Sequence, residues 1–268
     1  MATVVLPSAQ EIEKWKPSAF EEFVGNSFLI KCLKNGIRVH GQLPNTFVRG
    51  PSRSGKTAAI KLFIKSLFCV RRNPETLNPC GVCDNCSQEI EDHGHAGFFA
   101  EFDEGSPSRK IPLHYVPIDC PRITELRLRE SLQELRDFGG IQIVYLDEVH
   151  RLVERKMDHM LLKSLEERRF LWMASSATTA GLEQMFLNRF SIRLRTSLPE
   201  RDELAEFLVF RCLVWGIEWK EPETIMRLVE RSNHVPGLAL QVLAAAAATP
   251  EREMTRELVE GHDFLQEE

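Results

Sequence analysis

The residues with the clearest chemical pattern lie at positions 50–57, where the sequence reads GPSRSGKT. This matches G-x-x-x-x-G-K-[ST], a loop whose backbone N–H groups surround phosphate oxygens. Gly50 and Gly55 allow the backbone to curl, Lys56 neutralises the β and γ phosphates of ATP, and Thr57 ligates Mg²⁺. A chance match in a glycine-rich turn is the alternative. The segment NTFVR before the loop is expected to be a buried strand and the amphipathic AAIKLFIKSLF after it a helix, and this is the context that the motif requires.

We therefore predict a nucleotide site built on this loop. Its expected nucleotide contacts within the motif are Gly50, Ser54, Gly55, Lys56, Thr57 and Ala58.

Two acids follow an apolar segment in IQIVYLDEVH, residues 141–150. The carboxyl end of a parallel strand is where an α/β sheet places its chemistry. Asp147 is expected to hold Mg²⁺ through water, and Glu148 to polarise the water that attacks the γ-phosphate. Alone, the two acids would be interpreted as a cap of the next helix. With a phosphate loop about 90 residues upstream, they predict ATP hydrolysis.

Four of the seven cysteines fall close together, at Cys69, Cys80, Cys83 and Cys86. Four thiolates are enough for a closed tetrahedral zinc site, and such a site is structural because no position is left for water. Disulfides and an iron–sulfur cluster are the alternatives. The cysteines predict a zinc module over residues 69–96.

Outside these motifs, segments with helical and strand patterns alternate, which predicts a parallel sheet with helices on both faces. From about Leu198 onward only helical patterns follow, and Pro199 is expected to open the first of them. We predict an α/β domain at 1–197 and a small helical domain at 198–268. The expected helices cover about 27–40, 57–69, 122–137 and 150–167, with one more ending near Asn188, and the expected strands cover 45–49, 114–119, 141–146 and 170–174.

The 268 residues are 43% hydrophobic and 27% charged, as in soluble globular proteins. No apolar run is long enough to cross a membrane and the start lacks a secretory signal, so we expect a cytoplasmic protein without a membrane partner. The net charge of −5 excludes a uniformly basic surface. Any contact with DNA must therefore use a local group of cations.

The segment DEVHRLVERKMDHMLLKSLEE resembles the acidic strand and following helix of the gamma/tau-type ATPase subunits of bacterial clamp loaders. The opening KWKPSAFEEFVGNSFLIKCLKNGI is similar to the start of that family, and the cysteine module lies in the same place. The resemblance covers about residues 13–245. It implies an AAA+ P-loop domain with a zinc-knuckle insertion, followed by an all-helical lid.

The same resemblance implies further nucleotide contacts. Pro17, Val24 and Gly25 match residues that line the adenine pocket. Ser175 or Ser176 matches a sensor hydroxyl near the γ-phosphate, and the register leaves both open.

Arg189 matches an arginine that reaches ATP bound to the neighbouring subunit, an arginine finger in trans, and an ordinary surface arginine is the alternative. The family grips DNA phosphates with the start of the helix before the acidic strand, and a solvated charged helix face is the alternative there. The matching residues in this chain are Arg122, Thr124, Arg127 and Arg129.

Three departures from the family are visible. The lid segment SNHVPGLALQVL lacks the arginine of a second sensor, residues 94–115 form a longer segment that is predicted to be a loop or hairpin, and a helical collar domain is not present in the sequence. We predict an oligomeric, clamp-loader-like ATPase that acts on DNA with other AAA+ subunits and positions an unidentified client protein. A non-catalytic ATP-binding adaptor of a DNA-processing, transposition or defence complex is the alternative. A small-molecule kinase with a zinc lid is a third possibility.

Overall fold

The computed structural model of the chain describes residues 6–39, 43–87, 96–100, 111–137, 141–167 and 170–264. Within these residues, six strands form one sheet in the order β2-β3-β4-β5-β1-β6. Neighbouring strands from β3 to β6 run parallel, and β2 is antiparallel to β3. This confirms the predicted parallel α/β sheet. The strands are β1 Thr46–Arg49, β2 Ala96–Ala100, β3 Ile111–Asp119, β4 Ile141–Asp147, β5 Phe170–Ser176 and β6 Ile192–Arg195.

Helices cover both faces of the sheet, because the buried residues of the central strands alternate between two cores. On one face Tyr145 and Met173 pack with Phe63 of the helix that follows the phosphate loop. On the other face Trp172 packs with Leu132 and its neighbours. The helices of this part are α1 Ala9–Glu13, α2 Ser27–Arg38, α3 Lys56–Phe68, α4 Asp84–Ser87, α5 Glu125–Asp137, α6 His150–Glu154, α7 Leu162–Leu165 and α8 Gln184–Leu187, with 3₁₀ turns at Phe20–Glu22 and Asp158–Met160.

The helices of the C-terminal part form a separate core, which we call the lid. Its helices are α9 Arg201–Trp215, α10 Pro222–Arg231, α11 Pro236–Ala247 and α12 Arg256–Gly261. The N-terminal segment adds to this core: Ile12 is buried in it, and the ring of Trp15 lies 5.8 Å from that of Trp215. The start of the chain therefore packs on its last helices and borders the junction between sheet and lid.

Several expected elements differ in the structure. The helix predicted at 150–167 is three short pieces, because Lys156 has a left-handed backbone with φ of 57°. The strand β6 was not predicted, since its four residues are too few to show a period and, unlike β1, it precedes no motif that requires a strand. Pro199 does not open a helix: α9 begins at Arg201 after the capping residue Glu200.

In the segment 94–115, predicted to be a loop or hairpin, the described residues form an antiparallel strand pair. Residues 96–100 pair with 111–115 of β3, and residues 94, 95 and 101–110 lie outside the described residues. Part of the predicted zinc module, residues 88–95, also lies outside them. None of the helices in the described part of the chain has the length and apolar character needed to cross a membrane.

Candidate nucleotide site

The sheet order brings three loops together, because β5 lies between β1 and β4. The phosphate loop follows β1, the acidic pair ends β4, and the candidate sensor serines end β5. All three strands are parallel, so their carboxyl ends meet at one edge. Gly55 precedes α3 in a left-handed conformation, with φ of 93°, which points the first N–H groups of α3 into the cleft.

Lys56 is buried at the floor of this cleft. Its Nζ donates to the carbonyl oxygens of Gly50 at 2.8 Å and Pro51 at 3.0 Å, and lies 3.5 Å from Glu148 Oε1. Burial lowers the pKa of Lys56, and the negative charge of Glu148 acts in the opposite direction. The ammonium group is therefore held in place beside the loop before any phosphate arrives.

Asp147 is surrounded by three hydroxyl groups. Ser175 Oγ lies 2.6 Å and the Tyr145 hydroxyl 2.7 Å from Asp147 Oδ1. Thr57 Oγ1 lies 3.2 Å from the same oxygen. The predicted magnesium ligands Thr57 and Asp147 are thus adjacent, and hydroxyl and carboxylate oxygens are the ligands that Mg²⁺ prefers.

Tyr145 is a site residue that the sequence analysis missed. Besides Asp147, its hydroxyl lies 3.0 Å from Ser175 Oγ and 3.2 Å from Thr57 Oγ1. Burial raises the pKa of Tyr145 well above its ordinary value, and the charge of Asp147 raises it further, so the phenol stays a neutral donor. The signal was present in the sequence, because residues two apart on a strand share a face.

Glu148 has a strained backbone, with φ of 50°. Its carboxylate is held from two sides: Ala177 N–H donates to Oε2 at 2.8 Å, and Lys56 Nζ lies 3.5 Å from Oε1. His150 Nδ1 also lies 3.3 Å from Oε2. The acid is therefore held beside Lys56, at the position expected of the group that orients the attacking water.

The two candidate sensor serines face opposite sides of β5. Ser175 Oγ contacts Asp147 and Tyr145, as given above, and accepts from the Glu148 N–H at 3.3 Å. Ser176 Oγ lies 2.9 Å from His150 Nδ1. Only Ser175 therefore shares the face of the predicted magnesium ligands.

The cleft continues from the phosphate loop to the lid, and its outer part is apolar enough for a nucleotide base. Pro17 and Val24 line it, whereas Gly25 does not. The N–H of Gly25 instead donates to Glu203 of α9 at 2.9 Å. Asn26, which the sequence analysis did not single out, lines the cleft and donates to the carbonyl of Ser54 at 2.8 Å. The apolar lining comprises Trp15, Pro17, Phe23, Val24, Phe207 and Leu240.

Arg189 lies outside this cleft, just beyond α8. Its guanidinium donates to Glu166 Oε1 at 2.6 Å and to the carbonyl of Met185 at 3.0 Å. Its side chain is 25% exposed. Arg189 thus does not meet the nucleotide site of its own chain, as a residue acting in trans requires, and it has an acidic partner that it would have to leave.

The predicted DNA residues divide into two groups. Arg122 precedes α5 and its side chain is 76% exposed, with Asp119 at 3.6 Å. The Thr124 hydroxyl accepts from the N–H of Arg127 at 3.3 Å, as a helix cap does. The expected helix start at 122 is therefore wrong by three residues, since α5 begins at Glu125.

Arg127 and Arg129 lie within α5 and pair with acids on the same helix. Arg127 contacts Glu130 at 3.2 Å and Glu134 at 3.4 Å, and Arg129 contacts Glu125 at 2.6 Å. These contacts match the alternative of a solvated charged face for both residues.

The four clustered cysteines meet at the C-terminal end of α3, where Cys69 follows the last residue of the helix. Their sulfur atoms all lie within 4.8 Å of one another. Individual pairs are 3.7 Å apart for Cys80 and Cys86, 3.8 Å for Cys69 and Cys83, and 3.3 Å for Cys83 and Cys86. A tetrahedron with zinc–sulfur bonds of about 2.3 Å has edges of about 3.8 Å.

Backbone hydrogen bonds support this arrangement. The N–H of Cys80 donates to Cys69 Sγ at 3.2 Å. Backbone hydrogen bonding, led by the N–H of Val82, lowers the pKa of Cys80 to about 6, whereas burial raises the pKa of Cys69 and of Cys86. The geometry and the donors therefore fit a metal that binds thiolates.

The fold of the chain resembles that of a solved protein. The RuvB Holliday junction branch migration motor of Thermotoga maritima superimposes with a TM-score of 0.58 and 15% identity, covering 91% of this chain and 70% of that one. No family model matches the sequence. The sheet order, the phosphate loop, the acidic strand and the helical lid together give the chain the AAA+ fold.

Sequence relatives narrow the class. The chain is 32% identical over 241 residues to the DNA polymerase III subunit tau of Escherichia coli (strain K12), covering 87% of this chain and 31% of that protein. It is 27% identical over 154 residues to protein STICHEL of Arabidopsis thaliana, and this match covers 58% of the present chain and 11% of STICHEL. The chain is thus an AAA+ chain similar to DNA polymerase III tau and gamma subunits, and it spans about a third of the length of the tau relatives.

Proposed function

We propose that the chain hydrolyses ATP with Mg²⁺ at the cleft between the sheet and the lid. The observation that carries the proposal is Glu148, held between Lys56 and the N–H of Ala177 beside the hydroxyl-lined Asp147. A charged acid, a buried ammonium and a set of oxygen ligands are the groups that phosphoryl transfer to water requires.

Each residue then has one task. Lys56 exchanges the loop carbonyls for phosphate oxygens, and the N–H groups at the start of α3 bind the same phosphates. Thr57 and Asp147 would hold Mg²⁺, which offsets negative charge that develops on the phosphate oxygens. Glu148 orients water and accepts its proton, and Ser175 keeps Asp147 in position from β5.

We further propose that the ATPase works as an oligomer on DNA. Arg189 supports this, because it lies outside the cleft of its own chain and could serve a neighbour. The Escherichia coli relative is a subunit of DNA polymerase III, and the structural neighbour is a branch migration motor. Arg122, exposed ahead of α5, is the best placed of the predicted phosphate contacts. Loading or positioning of a client protein, as a clamp loader does, completes this proposal.

Zinc is proposed as a structural ion. The four sulfurs leave no position for water, and Cys69 joins the module to α3, which carries Lys56 and Thr57 at its other end. The module would stabilise the helix that presents the phosphate loop and take no part in the reaction.

A non-catalytic adaptor is the second candidate, and one observation favours it. Among the described residues, the lid lines the cleft with Phe207, Pro236, Gly237, Leu240 and Gln241, and none of them is a cation. An adaptor would bind ATP and return no phosphate. The lid of such a protein would need no charge to act on the γ-phosphate.

One experiment separates the two. Phosphate release and ATP binding are measured for the wild type, Lys56→Ala and Glu148→Gln, with and without duplex DNA. A hydrolysing enzyme predicts turnover in the wild type, binding without turnover in Glu148→Gln and loss of binding in Lys56→Ala. Equal phosphate release from the wild type and Glu148→Gln would reject Glu148 as the base. Binding without any turnover in the wild type, across protein and DNA concentrations, would establish the adaptor.

A further inference from the structure

The phosphate loop contains a strained arginine. Arg53, the fourth residue of the motif, has a left-handed backbone with φ of 61°. Glycine adopts this conformation without cost, whereas a residue with a Cβ is strained in it. A strained residue at a binding cleft indicates that its side chain has a task there.

The lid contacts this residue directly. Gly237, the second residue of α11, donates its N–H to the carbonyl of Arg53 at 3.2 Å. A Cβ at position 237 would lie 2.7 Å from both Cβ and O of Arg53, closer than such atoms approach each other. The absence of a side chain on Gly237 therefore allows α11 to rest on the phosphate loop.

One turn further along α11, Gln241 holds the side chain of Arg53. Its amide oxygen accepts from the two terminal guanidinium nitrogens at 3.1 and 2.9 Å, with the amide orientation assigned from these contacts. Gln241 is neutral, and in the described part of the chain no carboxylate lies within ion-pair distance of Arg53. The positive charge of Arg53 is therefore oriented by the lid and left without a counter-ion.

Arg53 also lines the nucleotide cleft, together with Lys56 and Thr57 on the loop side. We propose that Arg53 binds the phosphates of the nucleotide while Gln241 and Gly237 hold it against the lid, so that nucleotide affinity depends on the docking of α11. This inference rests on the proposed nucleotide site and adds to it a ligand and a route to the lid. The described lid residues contribute no cation to the cleft, and Arg53 would provide one from the loop.

The sharpest variant is Arg53→Gly, because it removes the side chain and the backbone strain together. We expect thermal unfolding of the nucleotide-free variant to occur at the wild-type temperature or higher. Its affinity for a non-hydrolysable ATP analogue should fall roughly tenfold to a hundredfold, as expected for the loss of a charge-assisted hydrogen bond. Arg53→Lys keeps the charge and loses the two-nitrogen contact with Gln241. Its affinity for the analogue should lie between those of the wild type and Arg53→Gly.

A double-mutant cycle tests the role of the lid. Gln241→Leu should weaken analogue binding in the wild-type background and have no further effect in Arg53→Gly, because Gln241 is proposed to act on the nucleotide through Arg53. Wild-type affinity in Arg53→Gly would overturn the proposal, and additive losses in the double variant would overturn the part assigned to Gln241. If the wild type itself binds no analogue, the proposed function fails instead, so the two failures are distinguishable.

Discussion

Removing the hydroxyl of Tyr145 is the most direct test of the network around Asp147. Tyr145 is 1% exposed, and Phe fills almost the same volume, so Tyr145→Phe leaves no cavity of consequence. What it removes is the donor 2.7 Å from Asp147 Oδ1, together with the contacts to Ser175 and Thr57.

The size of the effect follows from these contacts. A hydrogen bond to a charged group contributes roughly 1.5–3 kcal/mol to stability. Asp147 keeps its contact with Ser175 at 2.6 Å, which favours the lower end of that range. For a chain of this size, a loss of about 1.5 kcal/mol lowers the unfolding temperature by about 3–6 °C. The larger effect should be on Mg²⁺, because groups that orient a metal ligand change metal affinity by roughly tenfold to a hundredfold.

The assay is the Mg²⁺ concentration that gives half-maximal ATP hydrolysis, measured at saturating ATP. We expect it to rise by roughly tenfold or more in Tyr145→Phe, with a small change in the rate at saturating Mg²⁺. Tyr115→Phe is the matched control, since Tyr115 is equally buried and pairs on β3 with Ile143, four residues before Asp147 on β4. An unchanged Mg²⁺ requirement in Tyr145→Phe, or an equal rise in the control, would refute the reasoning.

Three further predictions concern the other sites. Elemental analysis should find one zinc per chain, and reduced wild-type protein without metal would contradict this. Cys83→Ser should lose the metal and unfold at a lower temperature, whereas the control Cys32→Ser, outside the cluster, should keep the metal. Mixing inactive Glu148→Gln with inactive Arg189→Ala should restore part of the ATPase activity, because the first variant can lend Arg189 and the second retains Glu148; a mixed oligomer without activity would exclude the shared site. Glu166→Gln should raise activity at low protein concentration, because it frees Arg189 from its acidic partner. Arg122→Gln should reduce the slope of log DNA affinity against log salt concentration by about one. Arg129→Gln, at a residue paired with Glu125, should change this slope less, and equal effects of the two variants would assign no special role to Arg122.

Local motifs account for what the sequence predicted well. The strand, phosphate loop and helix around Lys56 are consecutive in the chain, so spacing alone places them. The adjacency of Thr57 and Asp147, 90 residues apart, followed from the known geometry of the motif, and the structure places their oxygens 3.2 Å apart. The four cysteines met as predicted because their two-residue gaps are short and the first one ends α3.

The site features that the sequence did not predict depend on which strands are neighbours in the sheet. Ser175 and Ser176 could not be distinguished until β5 was placed beside β4, after which their alternation put only Ser175 next to Asp147. The hydroxyl of Tyr145 becomes a site group only because α3 packs on the same face. The contact of Gly237 with Arg53 joins residues 184 positions apart through the lid, and no local pattern reports such a distance.

The backbone of Glu148 bears on the choice between an enzyme and an adaptor. A left-handed conformation at a residue that is not glycine costs of order 1–3 kcal/mol and persists only where surrounding contacts maintain it. Binding of Mg²⁺ and phosphate is accounted for by Lys56, Thr57 and Asp147, and none of these needs Glu148 to be strained. The contacts of Glu148 with Lys56, Ala177 and His150 direct its carboxylate toward the phosphate side of the cleft. A protein that only binds ATP would lose nothing by relaxing this residue, so the strain at Glu148 favours hydrolysis.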